Sequence, residues 1–247
     1  MGDLLRAEWI KVRSIRSSFI LALSAIGLTV LVAVLVGALR PDRQDLGSVA
    51  PSFLGGFLAA TFLFAVVATL VAASEFRTGT IRPTLTAAPR RMPLVAAKLV
   101  MVVLIGLIGG LIMEAVALGL GLGIARVRGQ HVHLGSQDKR FIVGSLVFLV
   151  LLSVLGFALG LLIRNPAGSL VTLIVWPLLI ENLATGLLAV MHQNRLAKYL
   201  PYRAGFALLA DNAGSDSFGR WTGGLYFASF ILVLLVLATY LFRRRDA

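Results

Sequence analysis

The sequence predicts an all-α integral membrane protein with six transmembrane helices, preceded by an amphipathic helix lying at the membrane surface. Two observations carry this prediction. Hydrophobic residues make up 58% of the 247 residues and charged residues 14%, against roughly 45–50% and about 25% in ordinary soluble domains. Six stretches also reach the length, about 20 mostly apolar residues, needed to cross a hydrocarbon core of roughly 30 Å. They are 19–39, 53–73, 99–124, 141–163, 168–191 and 221–242, and only the third and fifth contain a charge, Glu114 and Glu181.

Before the first span, residues 1–17 place Leu4, Leu5, Trp9, Ile10 and Val12 among Arg6, Lys11, Arg13 and Arg16. Such a helix is expected in the headgroup plane, its cations drawn to anionic lipid. The 19–39 stretch exceeds a signal-peptide h-region of about 7–15 residues and lacks a small-residue cleavage site, so it is expected to remain as a span. Glycines four apart, Gly106 and Gly110, Gly119 and Gly123, Gly156 and Gly160, let helices approach closely in lipid. They are expected chiefly to pack the chain against itself, and secondarily to offer a dimer face. In the fifth span Trp176-Pro177 removes a backbone donor and predicts a kink. Residues 192–220, with Tyr199, Pro201, Tyr202 and Phe206 among charges, are expected to form a partly helical interfacial cap on the outer face. The extramembrane segments are short, which leaves one membrane domain over 1–247.

The net charge of +12 would suggest nucleic acid in a soluble protein. Here topology accounts for it, because Lys and Arg flanking spans are retained in the cytoplasm. An even number of spans puts both termini on one side. The set holding the tails contains thirteen basic residues: Arg6, Lys11, Arg13, Arg16, Arg77, Arg82, Arg90, Arg91, Lys98, Arg164 and Arg243 to Arg245. The other set contains ten. Both termini are therefore expected in the cytoplasm, in a plasma membrane, with no nucleic-acid partner.

Several chemistries are excluded. Without cysteine there are no disulfides, thiolate nucleophiles or cysteine-ligated metals. An intramembrane serine protease needs a histidine base in the bilayer, whereas His131, His133 and His192 fall in outer loops. No His-Glu-x-x-His metalloprotease motif occurs, and no P-loop sequence to hold ATP. Any ATP energy must come through another polypeptide. Glu114 and Glu181, at membrane depth, are expected to face a partner on a neighbouring helix or a wet pathway. A proton-coupled carrier could use the pair.

The most specific segment runs over 75–98: Glu75-Phe76-Arg77-Thr78-Gly79-Thr80-Ile81-Arg82, then Pro89-Arg90-Arg91 and Lys98. Thr80 can cap a short helix whose first turn tolerates Pro83, and Pro89 stops it. This loop resembles the permease subunits of type-2 ATP-binding-cassette exporters of bacteria, in which an acidic residue, an aromatic, an arginine, a Gly-Thr pair, Pro-x-Arg and a lysine join the second and third spans. The opening Ala7-Glu8-Trp9-Ile10-Lys11 is similar to that family's connecting helix.

The resemblance implies a short cytoplasmic coupling helix near 80–87 that docks on a separate cytoplasmic ATPase. That partner would bind ATP and magnesium, and this chain would need no cofactor. Glu75, Arg77, Gly79, Thr80, Ile81, Arg82, Arg90 and Arg91 would carry coupling, and Glu114 and Glu181 would lie near a substrate pathway. A second permease copy, identical or related, is implied. Aromatic residues are 9% of the chain and form no stripe, which favours a small or amphipathic cargo such as a drug, antibiotic or peptide over a long glycan. The rival readings are the proton-coupled carrier and a non-transporting assembly or sensor subunit.

Overall fold

The computed structural model describes residues 2–14, 16–39, 50–80, 91–129, 134–209 and 217–244. Helix α1 spans Gly2–Ser14 and α2 spans Arg16–Leu39, the first membrane crossing. A single turn, α3 (Ala50–Phe53), precedes the second crossing, α4 (Phe57–Thr78). The third and fourth crossings are α5 (Arg91–Val127) and α6 (Ser136–Ile163). The fifth is composite: α7 (Pro166–Val175), a π-helical turn over Trp176–Glu181, and α8 (Asn182–Val190). A 3-10 turn (Asn194–Tyr199) and α9 (Pro201–Phe206) lead towards the sixth crossing, α10 (Arg220–Arg244).

All six expected spans are long, apolar helices, with boundaries that differ for local reasons. The second starts at Phe57 rather than at 53 because Gly55-Gly56 follow the α3 turn, where the backbone of Leu54 still bonds to Ala50. The third runs back to Arg91, past Lys98, because that ammonium is paired within the fold and no longer ends the helix. At Pro177 the expected kink takes the form of a π turn. A missing N–H and the ring clash are both relieved by a wider turn. The Asn182 side chain donates to the carbonyls of Pro177 and Leu178 (3.2 and 2.9 Å).

Helices α4 and α6 form the centre: 61% of the apolar window of each is buried, against 17% for α2. In lipid such pairs are held by close packing rather than by water exclusion. A Cβ at Gly160 would lie 2.7 Å from the Ala72 Cβ and 2.8 Å from the Thr69 carbonyl. At Gly110 it would lie 2.6 Å from Leu146. Gly119 and Gly123, in contrast, meet nothing within 4 Å. Phe64, Met113 and Leu149 fill the core between α4, α5 and α6. Phe148, Leu173, Tyr202 and Phe227 carry packing out to the segment after the fifth crossing. Phe157, Leu161 and Phe242 complete it at the other end.

Candidate functional site

At the end of α4 and the start of α5, where the 79–90 loop begins and ends, four charged side chains meet. Lys98 places its Nζ 2.8 Å from Glu8 Oε2 and 2.8 Å from Glu75 Oε1. Lys11 reaches the same Glu75 oxygen at 2.8 Å and Glu8 Oε1 at 3.2 Å. Glu8, Lys98 and Glu75 are 2%, 4% and 7% exposed, so these three charges are desolvated and hold one another in place, with Lys11 half-exposed at their edge. Breaking a buried pair by removing one partner costs about 3–5 kcal/mol. Among the described residues, Glu75 Oε2 is buried without a hydrogen-bond partner.

Local sequence explains how each member arrives. Glu8 and Lys11 are three apart on α1 and share its inward face, while Trp9 and Ile10 point outward. Glu75 is the last buried residue of α4, and Lys98 lies two turns into α5. Burial pushes the Lys11 ammonium down, but its hydrogen bond to Glu75 and the Glu75 and Glu8 charges outweigh this and hold it above its ordinary 10.5. Three separate elements, α1, α4 and α5, are thereby tied by charge.

A second contact sits at the same end. Arg164, in the left-handed conformation (φ 58°) that ends α6, lies 5.2 Å from the Phe76 ring and 5.8 Å from the Phe242 ring. The two rings meet edge to face, 6.1 Å apart. The end of α10 therefore shares a face of the bundle with α1 and the loop, which is the pairing that an even number of crossings requires.

Among the described side chains expected to act in coupling, only Glu75 joins the cluster. Arg77 is exposed in the last turn of α4, Gly79 ends that helix with φ 69°, and Thr80 follows, its hydroxyl 2.9 Å from that of Thr78. Ile81, Arg82 and Arg90 lie outside the described residues, as does the segment expected to form the coupling helix after Thr80. Arg91 begins α5. Glu8, Lys11 and Lys98 were not singled out among the expected site residues. The signal available was the Glu8-x-x-Lys11 spacing, with Glu75 and Lys98 at the two ends of the loop.

The sequence model of the family described as ABC-2 family transporter protein matches residues 4–192. The chain belongs to the ABC-2 transporter family. No curated protein matches it. The matched region takes in α1 to α8 and the whole four-charge cluster. The protein is thus a multi-pass ABC-2 permease subunit, and its family implies association with an ABC ATPase.

In this ABC-2 permease the two membrane glutamates stand apart. Glu114, 3% exposed on α5, faces α6, with Ser145 Oγ 2.6 Å from its Oε1. Glu181 closes the π turn at the opposite end of the bundle from the cluster. It accepts from the Trp176 indole (3.1 Å) and from the backbone N–H groups of Tyr202 (2.9 Å) and Arg203 (3.0 Å). These N–H groups are unpaired donors of the first turn of α9, so the carboxylate caps that helix from outside it. Burial pushes the Tyr202 phenol up and the Glu181 charge adds to this, while its hydroxyl donates to the Leu173 carbonyl at 3.1 Å.

Proposed function

We propose that this ABC-2 permease is the membrane subunit of an ATP-driven exporter in which α1 and the 79–90 loop move as one unit. The observation that carries the reading is the buried Glu8–Lys11–Glu75–Lys98 cluster. It fastens a surface helix to both ends of the loop, so force applied to the loop is delivered to α4 and α5 together. Through α4·α6 packing and the Arg164 contact, the same displacement reaches α6 and α10.

In this proposal a separate cytoplasmic ATPase binds ATP and magnesium and docks on the loop through Arg77, Ile81, Arg82, Arg90 and Arg91. Closure of two ATPases tilts two permease copies between inward- and outward-facing states, moving a small or amphipathic substrate. Both termini then lie in the cytoplasm of a bacterial plasma membrane. Glu181 acts as a support for the outer segment, since both its oxygens are taken by Trp176, Tyr202 and Arg203. That commitment also argues against a carrier that titrates Glu114 and Glu181 together.

The test is to purify the tagged permease from its native membrane in mild detergent and identify its companions by mass spectrometry, beside Arg82→Glu. A P-loop ATPase at about one copy per permease, lost in the variant, is expected from a subunit without its own P-loop. A permease that purifies alone in both cases would remove the assignment.

A further inference from the structure

The Glu114–Ser145 contact sets a buried carboxyl against a single hydroxyl hydrogen. Ser145 Oγ lies 2.6 Å from Glu114 Oε1 and 2.9 Å from the Ile142 carbonyl oxygen. Both distances are those of O–H···O hydrogen bonds. A serine hydroxyl has one hydrogen to give, and a backbone carbonyl can only accept. If Glu114 were ionised, both neighbours of Oγ would be acceptors and the single hydroxyl hydrogen would have to be shared between them. Both contacts are satisfied when Glu114 carries a proton and donates it to Ser145, which in turn donates to Ile142.

The surroundings agree. Among the described residues Ser145 is the one partner of Glu114. The next charges on its own helix are Lys98 and Arg126, about 24 and 18 Å away at 1.5 Å per residue. Helix α2 brings Thr29, whose hydroxyl donates to Ala25; its one charged residue, Arg16, opens the helix thirteen residues before Thr29, and the rest of α2 brings no titratable group. Nor does α3. On α6, Asp138 is bound to the backbone of Ala50 and Gly135, and Lys139 and Arg140 are exposed. Glu8 and Lys11 of α1, Glu75 and Arg77 of α4, and Arg243 and Arg244 of α10 belong to the loop end. Arg220 and Tyr226 of α10 lie by the outer segment, and Tyr240 lies beside Arg244. A carboxylate without a cation at this depth is strongly disfavoured.

We propose that Glu114 is an intramembrane proton-binding site, its proton held against Ser145 between α5 and α6. The bound proton keeps the interior of the third crossing neutral. It leaves only where α5 and α6 part enough to admit water or a cation, so its release accompanies movement of those helices. The site does not depend on the ATPase reading, and its test is separate.

The test is infrared spectroscopy of the full-length permease in lipid at neutral pH, in light and heavy water. Wild type should show the carbonyl band of a protonated carboxylic acid, absent in Glu114→Gln and retained in Glu181→Gln. In Ser145→Ala the band should persist and move to higher frequency, because the acid loses its acceptor. Identical wild-type and Glu114→Gln spectra in that region, with carboxylate absorption lost instead, would overturn the proposal. Should Glu114→Gln fail to fold, an acid band whose frequency Ser145→Ala leaves unchanged would overturn it equally.

Discussion

Among the described residues, the two ends of the bundle are held by different kinds of bond. At the loop end, side-chain charges from separate helices pair with one another: Lys98 with Glu8 and Glu75, and Lys11 with the same two. At the opposite end, charged side chains bind the backbone. Asp138 accepts from Ala50 N at 2.8 Å and from Gly135 N at 2.9 Å, Glu181 caps α9, and Arg128 donates to the carbonyls of Gly37 and Ala38 at 3.0 and 2.7 Å. A carboxylate on backbone N–H groups fixes one local conformation. An ion cluster bridging three helices instead joins bodies that can shift together, which suits the end where a driving subunit would push.

Variants should separate these roles. Lys98→Met leaves Glu8 and Glu75 sharing the half-exposed Lys11, and should cause the largest loss, about 3–5 kcal/mol, read as a lower unfolding temperature in detergent. Unchanged stability would show that the cluster is not ionically held. Glu181→Gln sets an amide against three donors and should cost about 1–3 kcal/mol for the donor left unsatisfied. Hydrogen exchange over 201–206 should quicken while the loop end stays protected. Exchange that quickened at both ends would break the contrast.

The smallest effect belongs to Lys11→Met, at most about 1 kcal/mol for so exposed a partner. Since Lys11 is raised above its ordinary 10.5 in the fold, its contribution is complete at lower pH and lost as pH climbs through the raised value. The stability gap between wild type and Lys11→Met should therefore be present at neutral pH and close only in strong alkali. A gap that closed near neutrality would contradict the assignment.

The sequence shows the crossings plainly, because an uncharged run of sufficient length has few alternatives in a bilayer. The irregular fifth crossing was equally legible, since Pro177 has one effect wherever it falls inside a helix. The cluster was not. Glu8 and Lys98 are 90 residues apart, and no local pattern announces such a pairing. Lys98 also hid the true start of α5, because a lysine reads as the end of an apolar run until its partners are known. The role of Glu181 was hidden for a related reason: its main partners are backbone N–H groups, and backbone carries no residue-type signal. Only Pro201, a residue suited to the first turn of a helix, hinted that a helix begins there.

The most direct measurement uses Glu8→Leu combined with Lys98→Met, which removes one charge of each sign and leaves Lys11 to pair with Glu75. Replacing both buried partners by apolar groups is often close to neutral for stability, so the double variant should fold and unfold near the wild-type temperature. ATP hydrolysis and transport by the complex co-purified with its ATPase are then compared with wild type. The account predicts a stable permease in which hydrolysis no longer drives transport; a stable double variant that transports at the wild-type rate would contradict it.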